Sequence, residues 1–514
     1  MSKAPGISLC MIVKNEAHRL PAFFRATEGL WDELCVVDTG STDATPQLFE
    51  NEGAIIQHQK WRDDFAEARN HSLRMATHEW VLVLDPDELP SQALSSEIRQ
   101  LINIKDAGAA TLVMRNYWPN GNYRDKRLMR MFRNRDTIHY RVPIHEEAVT
   151  SVSQMLTRES KELVHLQGIV THLGYDRTEA VNREKKSRDL RILKAVLKEN
   201  PDDLYSWYRY LDVARYWNDV VLQRSSAENA LKALHRIPFQ RDTPYIGDFL
   251  VLISSSLFAN QPKDQLFFLR GWQHRIDDHP ALFAQMGLLF ETLGKYEEAK
   301  NAYNRCLSLR GLSGELTLTT ITPTLGLARI FILEGQLDHA FTFVEDSLNL
   351  NPLNLEAICT GLCVVFMVDG ERGIQDFTNG YKKVYGDSHE LHHALGEHYF
   401  TQRNFPKALV HFKTAAGDPP KGRSALKLSQ TYFALSRFTE SKIALQKVQG
   451  HYPEAQLAYW LMEQCEHVHS ETSQENVNKH ISNLLAPWVS LLPKEQENKG
   501  KAILENLNQQ LLAD

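Results

Sequence analysis

The spacing of hydrophobic residues divides the chain into an alternating first third and a helical remainder. Up to about residue 175, short apolar runs alternate with amphipathic stretches of helical length. Seven of these runs have the length of strands: Ile7–Val13, Leu34–Val37, Ala54–Gln57, Trp80–Leu84, Ala109–Arg115, Arg127–Arg133 and Ile169–Tyr175. Strands that alternate with helices are typical of a mainly parallel sheet whose two faces are both covered. The pattern therefore predicts an α/β, Rossmann-like first domain.

The fourth run ends in a cluster of acidic residues. Asp85, Asp87 and Glu88 follow directly after the apolar residues Trp80–Leu84. Ligands of open α/β sheets bind outside the carboxyl ends of the strands, and carboxylate oxygens suit Mg²⁺ or Mn²⁺. Taken alone, these residues fit two interpretations equally well. One is a metal and phosphate site, and the other is a solvated acidic turn before a helix that Ser91 caps.

The chain lacks the usual signatures of a phosphate-binding loop and of a zinc protease. No Gly-x-Gly-x-x-Gly follows the first strand, and no Walker loop occurs. His145 and Glu146 begin a zincin-like pattern, but Val149 stands where that pattern requires its second histidine. A nucleotide would therefore be held by carboxylates, a metal and arginine rather than by a glycine-rich cradle.

Four motifs resemble those of the family 2 glycosyltransferases, in the same order and with matching spacing. They are Ser8–Glu16, Val36–Asp43, Asp64–Asn70 and Leu84–Glu88. The resemblance implies a GT-A fold and an inverting enzyme of the hexosyltransferase type. It also implies a nucleotide-diphosphate sugar as the donor, with UDP favoured as the nucleotide.

The same resemblance implies a set of donor-binding residues: Val13, Asn15, Glu16, Asp38, Arg69 and Asp85. Asp38 would bind the base, Arg69 would lie near the base and the diphosphate, and Asp85 would face the ribose or a metal. Without the resemblance, Arg69 also fits an ion pair on a helix surface with Asp64 or Glu67.

The resemblance further implies a metal, Mn²⁺ or Mg²⁺, and a general base. The metal ligands would be Asp85, Asp87 and His172, although a lone histidine in an apolar stretch also fits a buried core residue. An inverting transferase needs one general base to take the proton of the acceptor. Glu146 is the favoured base and Glu147 is the second choice. The alternative to a catalytic role is that these two residues form a solvated acidic strand end.

From about residue 177 the pattern is helical, with a period near 34 residues that resembles the tetratricopeptide repeat. One copy contains Gly287, Phe290, Gly294, Tyr296, Ala299 and Tyr303. Further copies begin near Ala328, Gly396 and Ser429. We expect helix pairs that stack into a superhelix with a concave groove. The predicted domains are a GT-A domain at 1–176, the repeats at 177–465 and a helical cap or tail at 466–514.

Composition narrows the class and the setting of the protein. The 514 residues are 43% hydrophobic and 24% charged, and a net charge of −6 gives no electrostatic reason to expect nucleic-acid binding. No apolar run is long enough for a transmembrane segment, and the first residues do not resemble a signal peptide. The six cysteines are scattered without metal-site spacing. These features predict a reduced, cytoplasmic protein, and the resemblance to family 2 enzymes that carry such repeats implies a bacterial one.

Together, these features favour a glycosyltransferase that moves a sugar to a protein or peptide held in the groove of the repeats. A second hypothesis keeps the chemistry but assigns a lipid-linked or polysaccharide acceptor, as in lipopolysaccharide core assembly. Its support in the sequence is a basic run on one predicted helix: Lys185, Lys186, Arg188, Arg191 and Lys194. A third hypothesis is a catalytically inactive scaffold, against which the presence of both Asp85 and Asp87 speaks.

Overall fold

The structure, a computed structural model, describes residues 4–117, 123–172, 179–239, 241, 243–309, 317–417, 422–435 and 437–446. The chain forms two compact units, Met1–Ser347 and Leu348–Asp514. In the described residues, the first unit contains a sheet followed by helices, and the second contains helices. This order confirms the predicted α/β domain followed by a helical region. The predicted tail at 466–514 lies outside the described residues, and the boundary at 176 stays a prediction.

Eight strands form one sheet in the described part of the first unit: β1 (Ala4–Val13), β2 (Glu33–Asp38), β3 (Ile55–His58), β4 (His78–Val83), β5 (Glu88–Pro90), β6 (Ala107–Tyr117), β7 (Tyr123–Arg133) and β8 (Glu162–His172). Their spatial order is β3-β2-β1-β4-β7-β6-β8-β5. The first four strands pair in parallel, whereas β7 pairs antiparallel with both β4 and β6. Strand β8 is parallel to β6 and antiparallel to β5. The sheet is therefore mixed, and its parallel half is the half that the early apolar runs predicted.

Five helices are described in the sheet domain, and two of them begin at a side-chain N-cap. The five helices are α1 (Leu20–Thr27), α2 (Thr45–Asn51), α3 (Phe65–Met75), α4 (Gln92–Leu101) and α5 (Val149–Glu159). The Asp64 side chain caps α3 by accepting a hydrogen bond from the Glu67 backbone nitrogen, and Ser91 caps α4 in the same way. Helix α5 and the three-residue strand β5 were not predicted. Strand β5 is too short to show a hydrophobic period, whereas α5 is amphipathic and buries Val152 and Met155 on one face.

Strands β1, β2 and β4 are buried on both faces, as their continuous apolar runs predict, whereas the edge strand β3 is largely exposed. Successive side chains of a strand point to opposite faces, so β1 contributes to two cores. Leu9 packs in one core with Phe23 of α1, and Cys10 packs in the other with Ala66 of α3. Burial on both sides holds the carboxyl ends of β1, β2 and β4 at a common edge, where the polar motifs follow.

A series of helices completes the first unit: α6 (Glu179–Glu199), α7 (Leu204–Tyr216), α8 (Val220–Arg236), α9 (Ile246–Leu257), α10 (Pro262–Gln273), α11 (Pro280–Thr292), α12 (Tyr296–Ser308), α13 (Thr322–Leu333) and α14 (Leu337–Leu350), the last of which crosses the unit boundary. Tyr303 of α12 lies against two glycines. A Cβ atom added at Gly287 of α11 or at Gly326 of α13 would come within 2.3 Å of the Tyr303 ring. Small residues thus let three successive helices approach one aromatic ring, as the repeat pattern predicts.

The second unit contains the helices α15 (Leu355–Tyr385), α16 (His389–Thr401), α17 (Phe405–Ala416), α18 (Gly422–Ala434) and α19 (Phe438–Gln446). Helix α15 is broken at Asp369 and Gly370, where the backbone leaves helical geometry. Gly396 of α16 lies against Phe412 of α17, at 2.6 Å from an added Cβ to the ring. Across the described residues of both units, every helix is too short or too polar to cross a membrane.

Candidate active site

The acidic cluster lies at the carboxyl end of β4 and folds back on itself. The Glu88 backbone nitrogen donates to the Asp85 carbonyl oxygen at 2.9 Å, and the Asp85 backbone nitrogen donates to the Glu88 carboxylate at 3.0 Å. Asp87 and Glu88 are buried, and Asp85 is partly buried. The cluster is therefore not a solvated turn, although Ser91 does cap the helix that follows.

Arg69 of α3 joins this cluster to the predicted general base. Its side chain is buried, with the residue 3% exposed, and it donates from Nη2 to Asp85 at 2.6 Å and from Nε to Glu146 at 3.2 Å. Burial opposes the charged form, but the two carboxylates outweigh burial and raise the pKa of Arg69 above its ordinary value. The alternative of a surface ion pair with Asp64 or Glu67 is wrong, because Arg69 reaches into the site instead.

A second arginine, Arg130 of β7, completes the network and was not singled out from the sequence. Its Nη2 donates to Glu88 and lies 3.8 Å from an Asp85 oxygen. Burial raises the pKa of Glu88 to about 7, against the opposing effect of Arg130. Among the described residues, Arg69 Nη1 and Arg130 Nε have no hydrogen-bond partner although both atoms are buried. Since buried donors are nearly always satisfied, these two nitrogens fit an anionic ligand such as a phosphate group.

Asp87 and His172 meet because β5 pairs with β8. The register places Glu88 opposite His172, so the neighbouring Asp87 comes to lie 3.5 Å from His172 Nε2, measured to its Oδ2. The other ring nitrogen, Nδ1, lies 2.7 Å from the Asn116 side-chain oxygen. Burial lowers the pKa of His172, but the Asp87, Glu88 and Asp85 carboxylates outweigh burial and raise it above its ordinary value. His172 is thus part of the site rather than an isolated core residue.

The Asp87–His172 pair has donors that suit a divalent cation. Neighbouring ligands of an octahedral ion, each bound at about 2.1 Å, lie roughly 3 Å apart, which is close to the observed separation. When Asn116 accepts a hydrogen bond from Nδ1, the lone pair of Nε2 faces Asp87, as in histidines that ligate metals. In the part of the chain that the structure describes, no group of three such side chains could hold a metal by itself. Phosphate oxygens of a substrate commonly supply the remaining ligands of such an ion. The Asp85 carboxylate pairs with Arg69, so the role of Asp85 as a metal ligand stays a prediction.

The ends of β1 and β2 bring two further predicted donor-binding residues side by side. The strands are parallel neighbours, and their register pairs Val13 with Asp38. Both residues are buried. The Asp38 carboxylate accepts a hydrogen bond from the Ser41 backbone nitrogen at 3.1 Å and lies 3.0 Å from His58 Nδ1. These contacts do not test whether Asp38 binds the base of the nucleotide, so that role stays a prediction.

The loop after β1 links these strand ends to the acidic cluster. The Asn15 side-chain oxygen accepts a hydrogen bond from the Thr42 backbone nitrogen at 2.7 Å. Glu16 pairs with Arg19, and Arg19 Nη1 lies 3.9 Å from an Asp87 oxygen. The predicted donor-binding residues at the ends of β1, β2 and β4 therefore lie along one sheet edge, although their individual contacts with a donor stay predictions.

The loop between β7 and α5 carries Glu146 and is tied to α3. The Asn70 side chain donates to the Tyr140 carbonyl oxygen at 2.8 Å and accepts from the Tyr140 backbone nitrogen at 2.7 Å. The Phe65 backbone nitrogen donates to the Pro143 carbonyl oxygen at 2.7 Å. The motif at Asp64–Asn70 thus anchors the loop of the predicted base, and the partners of Phe65 and Asn70 could not be read from the sequence.

Glu147 has a different set of partners. Its carboxylate binds Arg141 and accepts hydrogen bonds from the Thr150 backbone nitrogen at 3.1 Å and from the Thr150 hydroxyl group at 3.0 Å. These contacts cap the first turn of α5. The geometry therefore favours Glu146 over Glu147 as the base, although neither role is tested by it.

Three of the five basic residues in the run on α6 pair with acidic residues. The ion pairs join Lys186 to Asp219, Arg188 to Asp189 and Arg191 to Asp63, at nitrogen–oxygen distances of 2.8 to 3.1 Å. A basic patch that faces an anionic surface needs uncompensated charge. The run therefore lends little support to a membrane-bound acceptor.

The sheet domain and the repeats each match a known family. Residues 8–162 match the glycosyl transferase family 2 model, and residues 281–311 match a tetratricopeptide repeat model. The first match covers β1 to β7 and the loop that carries Glu146 but ends where β8 begins, and the second covers α11 and α12. The protein thus carries a family 2 glycosyltransferase domain followed by helical repeats, which confirms both resemblances.

Three curated relatives support this assignment. A TPR repeat-containing protein of Synechococcus elongatus is 36% identical over 201 residues, which cover 39% of this chain and 50% of that protein. The SPbeta prophage-derived glycosyltransferase SunS of Bacillus subtilis is 28% identical over 218 residues, covering 41% of this chain and 50% of that protein. An uncharacterized glycosyltransferase of Rickettsia prowazekii is 33% identical over 95 residues, covering 18% of this chain and 32% of that protein. The chain spans half or less of the length of these relatives.

Proposed function

We propose that the protein is an inverting, metal-dependent glycosyltransferase that moves a sugar from a nucleotide-diphosphate sugar, with UDP favoured, to a protein or peptide side chain. The observation that carries the proposal is the Arg69 bridge between Asp85 and Glu146, beside the Asp87–His172 pair. One sheet edge thus combines groups suited to binding an anion, holding a cation and accepting a proton. The family 2 match supports the same class of reaction.

The donor diphosphate fits the cationic side of the network. Arg69 Nη1 and Arg130 Nε, unsatisfied within the described structure, can donate to its oxygens. Asp87 and His172 would hold Mn²⁺ or Mg²⁺ together with the diphosphate. Such an ion, when bound, acts as a Lewis acid that neutralises charge on the departing nucleotide diphosphate. Asp38 is proposed to bind the base, with the loop after β1 beside it.

Glu146 is proposed to act as the general base in a single displacement. A Ser, Thr, Cys or Asn side chain of the acceptor attacks the anomeric carbon from the face opposite the diphosphate. The bond between that atom and the sugar forms as the bond to the diphosphate oxygen breaks, and the leaving group keeps the electron pair. The proton of the nucleophile passes to the Glu146 carboxylate. The anomeric configuration is inverted because only one displacement occurs.

The helical repeats support a protein or peptide acceptor. Stacked repeats form extended surfaces that bind other polypeptides, and contacts far from the reacting atom can supply positioning. The compensated charges of α6 give the lipid-linked alternative no comparable support. The relatives are bacterial, and we propose that the reaction takes place in a bacterial cytoplasm, where nucleotide sugars are available.

The donor is tested by incubating the full chain with Mn²⁺ and a panel of nucleotide sugars while measuring release of nucleotide diphosphate. We expect release from at least one uridine donor, loss of release with EDTA and recovery with Mn²⁺ or Mg²⁺. Asp87→Ala is expected to lower release about 100-fold or more, since it removes a ligand of the cation. Asp106→Ala, an exposed carboxylate in the same domain, is the matched control. No release from any donor would support the inactive scaffold instead.

The acceptor class is tested with a radiolabelled donor and cell extract. Label that migrates with protein bands on a gel and disappears after protease treatment supports a protein acceptor. Label that extracts into chloroform and methanol would overturn that choice in favour of a lipid-linked acceptor. The full chain is used in both arms, because the first compact unit extends to Ser347 and a cut at residue 176 would pass through it.

A further inference from the structure

The loop that carries Glu146 is held by α7 as well as by α3. The Tyr205 hydroxyl group donates to the His145 carbonyl oxygen at 2.8 Å, and Arg209 Nη2 lies 2.9 Å from His145 Nδ1. Ile144, the residue before His145, is buried in a small core with apolar residues of α6 and α7. Ile144 and His145, the two residues that precede Glu146, are therefore held by a helix that follows the family 2 match.

His145 serves this arrangement as a hydrogen-bond acceptor. A guanidinium group has only donors, so the ring nitrogen that faces Arg209 must carry a lone pair and the proton must be on Nε2. Burial lowers the pKa of His145 well below its ordinary value, and the charge of Arg209 lowers it further. The ring is thus neutral, which suits a fixed structural contact rather than proton transfer.

The backbone of the same loop is strained at two positions. Val142 has a φ of 68° and His145 a φ of 55°, both in the left-handed region that residues other than glycine seldom adopt. For a β-branched residue such as Val142 this conformation is especially unfavourable. Strained residues persist only where surrounding contacts enforce them, and they cluster at functional sites. Helices α3 and α7 supply those contacts from two directions.

We propose that α7 is part of the catalytic unit, and that Tyr205 and Arg209 act through His145 as positioning residues for Glu146. The inference rests on the proposed role of Glu146 as the base. Helix α7 then serves the reaction itself and not the binding of the acceptor. The functional transferase therefore extends beyond the sheet domain to at least Tyr216, the last residue of α7.

The test compares the wild type with four variants of the full chain at Tyr205, His145 and Tyr216, and with Glu146→Gln, which removes the proposed base. Tyr205→Phe removes one hydroxyl group and keeps the ring, and we expect it to lower kcat about 3- to 10-fold. His145→Ala removes the acceptor and is expected to lower kcat about 100-fold, the loss that a small misplacement can cause. His145→Asn keeps a side-chain acceptor and tolerates a left-handed φ, so it should recover to within about threefold of wild type. Tyr216→Phe, 51% exposed at the end of the same helix, is the matched control.

Two measurements separate positioning from general damage. The KM for the donor should stay within about twofold in all variants, because the donor-binding strand ends are untouched. Amide hydrogen exchange in peptides that cover residues 140–148 should rise in Tyr205→Phe and His145→Ala and stay at the wild-type level in Tyr216→Phe and His145→Asn.

The outcomes distinguish this inference from the proposed function. If Glu146→Gln abolishes transfer while Tyr205→Phe and His145→Ala keep wild-type kcat and exchange, the positioning role is overturned and the transferase stands. If the wild type transfers no sugar from any donor, the proposed function fails, and the exchange data alone decide whether α7 holds the loop. Unchanged exchange in both variants overturns the inference in either case.

Discussion

Arg69 donates from Nε to the Glu146 carboxylate at 3.2 Å, although 77 residues separate the two in the chain. Through its Nη2 the same guanidinium group also binds Asp85 at the end of β4. One buried cation therefore sets the distance between the candidate general base and the candidate donor site. Disturbing it should affect both the stability of the sheet domain and the chemistry.

Arg69→Met should lower the free energy of unfolding of the first unit by about 3–5 kcal/mol, because it leaves two carboxylates without their buried partner. Arg69→Lys keeps the charge but cannot bridge both acids, so it should cost less stability and still lose most transfer. Urea unfolding and donor turnover measure the two effects. Arg62→Lys changes an exposed arginine that pairs with Glu67, and it should change stability by less than about 0.5 kcal/mol. Equal stability of wild type and Arg69→Met would contradict the bridge.

Glu146→Gln and Glu147→Gln should affect different properties. The first should lower the rate of sugar transfer, and the second should lower the stability of the fold. Removing the base should lower transfer about 10²- to 10⁴-fold with little effect on donor binding. Glu147→Gln weakens the cap of α5 and the pairing with Arg141, so it should cost about 1 kcal/mol of stability and leave transfer within about threefold. Steady-state kinetics and thermal unfolding of both variants decide between them. A larger loss of transfer in Glu147→Gln would reverse the assignment of the base.

Asn116→Ala should weaken binding of Mn²⁺ about 10- to 100-fold, since the amide oxygen holds the His172 ring in its orientation and groups of this kind tune metal ligands. Titration calorimetry with Mn²⁺ in the presence of UDP measures the affinity without any turnover. Asn103→Ala, on the surface after α4, is the control. Unchanged affinity in Asn116→Ala would show that the ring is oriented by other contacts.

Gly287→Ala and Gly271→Ala should change stability in opposite directions. An added Cβ at Gly287 would lie 2.3 Å from the Tyr303 ring, and overpacking of this kind costs about 1–3 kcal/mol. Gly271 of α10 is exposed, and a Cβ there meets no described atom within 4 Å, so alanine should add up to about 1 kcal/mol. Urea unfolding of both variants measures the difference. If both stabilise the chain, the close approach of α11 and α12 is not required.

The strands and repeats were predictable because their signals are local. The early apolar runs became β1 to β4, and burial on both faces explains why the runs of β1, β2 and β4 are continuous. Tyr303, Gly287 and their neighbours followed a fixed period, and the helices paired accordingly. Strand β5, at three residues, is too short to show such a period. Helix α5 was not predicted either, although its residues Val152 and Met155 form a buried face.

The partners of the site residues were not predictable in the same way. The resemblance predicted Arg69 near the donor, and the sequence left open a surface ion pair with Asp64 or Glu67. Its actual partners follow β4 and lie in a loop 77 residues away. Arg130 was predicted only as part of the strand Arg127–Arg133, since its role in the site depends on the antiparallel pairing of β7 with β4.

The sequence by itself determined the class of the domain, the acidic cluster at the end of β4 and the repeat architecture, because hydrophobic period and motif spacing are properties of contiguous residues. Only the tertiary structure decided which charges meet. The pairing of β5 with β8 brings Asp87 to His172, and the packing of α3 and α7 on one strained loop places Glu146 against Arg69. The physical reason is that a buried charge takes its partner from whatever the fold brings near, and strand order and helix packing are set by contacts far apart in the chain.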